Sequence, residues 1–247
     1  MKKIFSTALI TTLMIGLFAN SISKTDAEQI EKGTISVNTT ASSELYPDIA
    51  EVTIAIISED NKSLQKATDD NKEISEKIYT ELAALIDKEQ GDYIKTSNFN
   101  ASPIYTYKND KKTFLKYEVS NNIIVKTKSL QNIGKIIDKS ILLGAKNISN
   151  LNFSLSNYDA QCNDLLLKAS KIAFKRASIL ANTANNTVAG IKYLNGSCST
   201  NNNQTQYRML AKSANYDSAT GTNEISTSIQ SGAIKLNANV TATYFVK

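Results

Sequence analysis

The end of the chain alternates in chemistry with a strictness that only an extended backbone uses. Leu236, Ala238, Val240, Ala242, Tyr244 and Val246 are apolar, and Asn237, Asn239, Thr241 and Thr243 stand between them. A period of two is the side-chain period of a strand. The segment from Gly232 to Val246 is therefore expected to be a half-buried strand, and the core it lies on must come from the rest of the chain.

Other segments supply it. Gly33 to Thr40 alternates through Ile35 and Val37, and after a turn at residues 44–48 Val52, Ile54 and Ile56 share a face. From Asp60 or Asn61 the period changes. Leu64, Ala67, Ile74, Ile78, Leu82 and Leu85 recur by threes, fours and sevens, which predicts a long amphipathic helix ending before Gly91. Asp92 to Tyr107 reads as an extended segment interrupted by Pro103, which suits an edge strand. A turn at Asn109-Asp110 leads into Thr113 to Lys128, with Leu115, Tyr117, Val119, Ile123 and Val125 on one face.

Ser129 is expected to cap a short helix carrying Leu130, Ile133, Ile136 and Ile137, with Gly144 as a left-handed stop. Ile148, Leu151, Phe153 and Leu155 read as a strand. A second long helix starts at about Asp159, with Cys162, Leu166, Ala169, Ala173, Ala177, Leu180 and Ala184 on one face. So many small side chains let a helix lie close against a sheet. Asn185-Asn186 ends it, Val188 to Ser199 reads as a strand, and residues 200–228 form a long polar loop without period. The order is ββαββαβαββ. Helices do not alternate regularly with single strands, so the class is α+β: mainly antiparallel sheet packed with two long helices and one short one, with two lobes as an option.

Residues 1–21 carry the marks of an export signal. Lys2 and Lys3 precede an apolar run from Ile4 to Phe18, and Ala19-Asn20-Ser21 offers small residues for cleavage, with later sites up to Ala27. The run is shorter than the roughly 20 apolar residues of a membrane span, and no Cys follows it to take a lipid. The expected product is a domain over residues 30–247 in the periplasm or secreted, with no transmembrane anchor after cleavage. Peripheral association with the envelope is compatible with this. Losing Lys2 and Lys3 lowers the net charge from +5. The remaining lysines are scattered among acids, so no nucleic-acid partner is expected.

The absences narrow the chemistry further. There is no His and no Trp. Without His there is no Ser-His-Asp or Cys-His nucleophile and no His-metal site. No catalytic residue, cofactor or metal site is expected, and the chain is read as a non-enzyme. Cys162 and Cys198 are the two cysteines; in an exported chain they fit a single disulfide, with two buried thiols that never meet as the alternative. Glu51, Glu118, Asp138 and Asp159 could run acid–base chemistry only if the fold brought them together, and are read as solvated charge. Tyr105, Tyr107 and Tyr117 are either an aromatic recognition face or cross-strand packing on a hairpin.

At this point the residues resemble a family. Residues 47–52 (Pro47-Asp48-Ile49-Ala50-Glu51-Val52) with the helix that follows resemble the start of a SIMPL domain (DUF541). So do Tyr117-Glu118-Val119-Ser120-Asn121 through Leu130, Ile133-Gly134, Ile137-Asp138 and Gly144-Ala145. The Ala-rich helix and the final strand fit as well, so the resemblance covers most of the chain. It implies a periplasmic or secreted protein, associated with oxidative-stress tolerance and antigenicity, that self-assembles into a ring-like homo-oligomer. It implies no enzymatic activity. A ligand-binding or chaperone-like module using a pocket between sheet and helices is the alternative, and a carboxylate-based hydrolase a third reading.

Overall fold

A computed structural model of the chain describes residues 33–201 and 227–247. The export signal lies outside the described residues, as does most of the polar segment 200–228. The described strands are β1 (Thr34–Leu45), β2 (Ile49–Asp60), β3 (Tyr93–Lys108), β4 (Lys111–Thr127), β5 (Asn147–Ser154), β6 (Val188–Asn201) and β7 (Ile234–Val246). The helices are α1 (Leu64–Ala83), α2 (Ile133–Leu142) and α3 (Tyr158–Thr183), with short 3-10 turns at Lys88–Gln90 and Leu130–Asn132. The α+β class and the element order expected from the hydrophobic periods are both present.

The strands form two antiparallel sheets, ordered β1-β7-β6 and β3-β4-β2-β5. Each has its own helical cover and its own core. In the four-stranded sheet Val52, Ile54 and Ile56 of β2 and Ile123 and Val125 of β4 face α1 and α2, packing with Ile78, Leu82, Ile133 and Ile136. These side chains are all but fully buried. Asn71 of α1 is buried among them, its amide donating to the Val119 carbonyl at 3.0 Å and the Ile56 carbonyl at 3.4 Å. The helical period alone gives no sign of it, because Asn on a helix usually faces water.

In the three-stranded sheet β7 alternates as expected: Ile234, Leu236, Ala238, Val240, Ala242 and Tyr244 are buried under α3. The buried stripe of α3 is Leu165, Ala169, Ala173, Ala177 and Ala181, a run of i+4 steps. Alanine lets helix and sheet approach until the Thr39 hydroxyl of β1 donates to the Ala169 carbonyl at 2.9 Å. Leu180, expected on this face, is exposed, and Ala181 takes its place. A stripe that steps by four drifts around a helix of 3.6 residues per turn, so it reaches Ala181 and passes Leu180 by.

β7 lies at the centre of its sheet, so among the described residues the outer strands are β1 and β6. Ser129 sits at the start of the 3-10 turn but makes no side-chain cap; its N–H donates to Thr127 Oγ1 at 2.9 Å instead. Asparagine replaces glycine at most left-handed positions. Asn98, Asn109, Asp110, Asn150 and Asn185 have positive φ, against Gly91 and Gly144, and Asn and Asp are the side chains that tolerate this region best.

The chain passes between the sheets at residues 46–48 and 155–157, and these two connections are clasped together. Asp48 N–H donates to the Ser154 carbonyl at 3.1 Å. Its carboxylate accepts the Ser156 N–H at 2.7 Å and the Ser156 hydroxyl. Past residue 226 the chain first meets the four-stranded sheet's side. Asp138 of α2 accepts the Thr227 N–H at 2.7 Å and its hydroxyl, and Ile229 packs against that core before β7 begins.

Candidate functional site

The carboxylates named from the sequence do not converge. Glu51 accepts the Tyr93 phenol at 2.8 Å. Glu118 is paired with Lys116 at 3.3 Å and stands opposite Glu59, eight residues along β2 from Glu51 and so roughly 27 Å away. Asp138 holds Thr227, and Asp159 lies in the first turn of α3. Each is spent on a local structural contact or faces solvent.

The perturbed acids point the same way. Burial opposes ionisation of Asp92, but the Asp87 N–H, the Thr127 hydroxyl and the Lys128 N–H outweigh it and hold the carboxyl below its ordinary range. At Asp48 burial is likewise outweighed by the Ser156 hydroxyl and N–H. A lowered pKa keeps a carboxylate ionised, which is the reverse of what a proton donor near neutral pH requires. Among the described residues no cluster of His, Cys, Asp and Glu could hold a metal ion.

What the fold leaves open is a surface on the three-stranded sheet. Leu167 and Phe174 project from α3 on the flank of its alanine stripe, and Ile191 and Leu194 project from β6; all four are about half exposed. With Val188 and Tyr244 they line an open groove of about 690 Å³ in which Ser170 and Lys171 are the polar side chains. Phe174 meets Tyr244 edge-on, with ring centroids 6.0 Å apart. β6 bounds the groove and, among the described residues, pairs on one side only, with β7. Its outer edge is therefore a row of backbone donors and acceptors beside an apolar patch, an arrangement that proteins normally cover.

The groove is held by close contacts at its far end. A Cβ at Gly196 of β6 would come within 2.8 Å of Leu166 Cδ2, so glycine there lets α3 seat directly on the strand. Two residues on, Cys198 is joined to Cys162 of α3, with an S–S distance of 2.01 Å and Cα atoms 5.9 Å apart. The sequence reading missed this groove because it assigned the apolar residues of α3 to one face. The signal was present: Leu167 and Phe174, seven residues apart and so on one side of the helix, fall off the Ala stripe and give the helix a second apolar flank.

A family model named SIMPL, described as "Protein of unknown function (DUF541)", matches residues 35–244. This chain belongs to the SIMPL family. The match takes in both sheets and all three helices. Two relatives carry the name 26 kDa periplasmic immunogenic protein. The one from Brucella melitensis biotype 1 is 30% identical over 145 residues, and the one from Brucella abortus strain S19 is 29% identical over the same length. Each alignment covers 56% of this SIMPL chain and 56% of the relative, so it spans about half the length of the relatives it matches. These names describe location and antigenicity, and no enzymatic activity. Among the described residues no helix is long and apolar enough to cross a membrane.

Proposed function

We propose that the chain is a non-catalytic protein of the bacterial cell envelope, exported to the periplasm or secreted, that assembles with copies of itself and contributes to tolerance of oxidative stress. The observation that carries the assembly is the edge of β6, unpaired among the described residues, beside the apolar groove. A second copy would cover both at once. β1, the opposite outer strand of the same sheet, is also unpaired on one side among the described residues. An edge of one kind meeting an edge of another is a head-to-tail contact, which must close into a ring to avoid growing into fibres. The periplasmic names of the Brucella relatives support the location, and the stress role rests on the resemblance to SIMPL proteins.

A ligand-binding or chaperone-like module remains the second reading, because an open apolar groove also suits a stray apolar segment. Its polar lining is sparse, however, and a small-molecule site usually gathers several directed polar groups. The hydrolase reading finds no support in the scattered carboxylates.

The experiment is complementation. A strain lacking the gene is expected to survive peroxide poorly and to be restored by the wild-type chain. The pair Ile191→Lys and Leu194→Lys, expressed to the same level, is expected not to restore it. Failure of the wild type would contradict the stress role, and full rescue by the pair would detach that role from the β6 surface.

A further inference from the structure

The β3–β4 hairpin runs well past the sheet that holds its base. β2 ends its ladder with β4 at Asp60 opposite Tyr117, whereas β3 and β4 stay paired as far as Lys108 opposite Lys111. Residues 111–116 therefore have β3 as their one strand neighbour among the described residues. At about 3.3 Å per residue the two-stranded arm reaches roughly 20 Å beyond β2. Asn109 and Asp110 close it, both with positive φ, as the tight turns whose twist matches a hairpin require.

An arm of two strands cannot build a core, yet its side chains are not those of a solvated hairpin. Tyr105 and Tyr107 alternate and share a face, and Phe114 and Tyr117 join it from β4 by register. The rings run in sequence, Tyr105 to Phe114 with centroids 6.0 Å apart and Phe114 to Tyr117 at 4.9 Å. The face is nonetheless open: Tyr107 is 68% exposed and Tyr105 42%. Lysines surround it. Lys112 Nζ lies 4.1 Å from the centroid of the Tyr105 ring, and Lys108 and Lys111 flank the turn without an ion pair to any described residue. Asp110 is the one acid between Tyr105 and Tyr117.

We propose that this arm docks the protein on an anionic phospholipid bilayer. Tyrosine rings, apolar in body and polar at the tip, settle at the headgroup level, and lysines beside them are drawn to the negative lipid surface. Here both kinds of side chain stand within a few residues on a projecting tip. The positive balance of the tip selects anionic over neutral lipid. Docking of this kind is peripheral, and it is separate from any contact through β6.

The test is co-sedimentation of the full exported chain with vesicles of phosphatidylcholine alone or with one third phosphatidylglycerol. Binding is expected on the anionic vesicles, at least about tenfold weaker on the neutral ones, and weakened by salt. Tyr107→Ser, and separately the pair Lys111→Glu and Lys112→Glu, are each expected to weaken it about tenfold or more, with unchanged circular dichroism and melting. The pair Lys111→Arg and Lys112→Arg should bind as wild type, which separates loss of charge from loss of fold. No binding to anionic vesicles would overturn the proposal, and so would binding that the arm variants leave intact. A change of mass in solution in the arm variants would also overturn it, by making the arm a contact between copies.

Discussion

Asp92→Ala is expected to lower the stability of the fold by about 3–5 kcal/mol, because one buried and two partly buried donors lose one charged acceptor together. Asp92 is 5% exposed. Its carboxylate accepts the Asp87 N–H at 3.0 Å, the Thr127 hydroxyl at 2.6 Å and the Lys128 N–H at 2.8 Å. It thus ties the loop after α1 and the start of β3 to the end of β4, and no other side chain takes part in all three connections. Urea unfolding of wild type and variant at neutral pH measures the effect; a loss under about 1 kcal/mol would mean that water replaces the carboxylate. The pH dependence has a definite sign. The carboxyl is held below its ordinary range in the folded chain, so its contribution is complete above the unfolded value of about 4 and is lost as pH falls through the folded one. The gap between wild type and Asp92→Ala should therefore narrow below about pH 4 and stay constant from pH 6 to 8.

The second large effect concerns Cys162 and Cys198. Closing a loop across a sequence separation of 36 residues is worth about 3–4 kcal/mol in the chain-entropy model. The double substitution to Ser, or reduction before unfolding, is expected to lower stability by that amount. The α3–β6 seam should loosen first, since Cys198 packs beside Leu165 and Ala238 there. Thiol labelling of the exported protein, unfolded without reductant, should find no free thiol. Two free thiols per chain would contradict the bond, and an unchanged urea midpoint after reduction would contradict its weight.

How much of this was legible in the sequence depended on the range of the interaction. β7, α1 and the Asn109-Asp110 turn are written in contiguous residues, through side-chain period and backbone tolerance, and they stand where those signals put them. The central position of β7 is not local information. Its ladder joins Thr34 to Phe245 and Asn201 to Lys235, and nothing within the strand distinguishes a central place from an edge. Asp92 was passed over for a similar reason: its hydroxyl partner Thr127 is 35 residues away, so the clamp exists only once β3 and β4 have paired. On α3 the steps of three and four from Cys162 put Leu180 and Ala184 on the face with Ala177. The fold buries Ala181 because the stripe steps by four from Leu165, and at 3.6 residues per turn each such step drifts about 40° around the helix, which by the last turn carries the seam past Leu180. Leu167 and Phe174 lie outside that stripe, half exposed, and so make the apolar groove that no single-face reading of the helix contained.

The most direct test of the assembly proposed through β6 is the mass in solution of the exported chain, measured by light scattering across a wide concentration range. The expected result is a discrete particle of more than two copies that falls to a single copy in the pair Ile191→Lys and Leu194→Lys. A single-copy mass for the wild type at every concentration would contradict it.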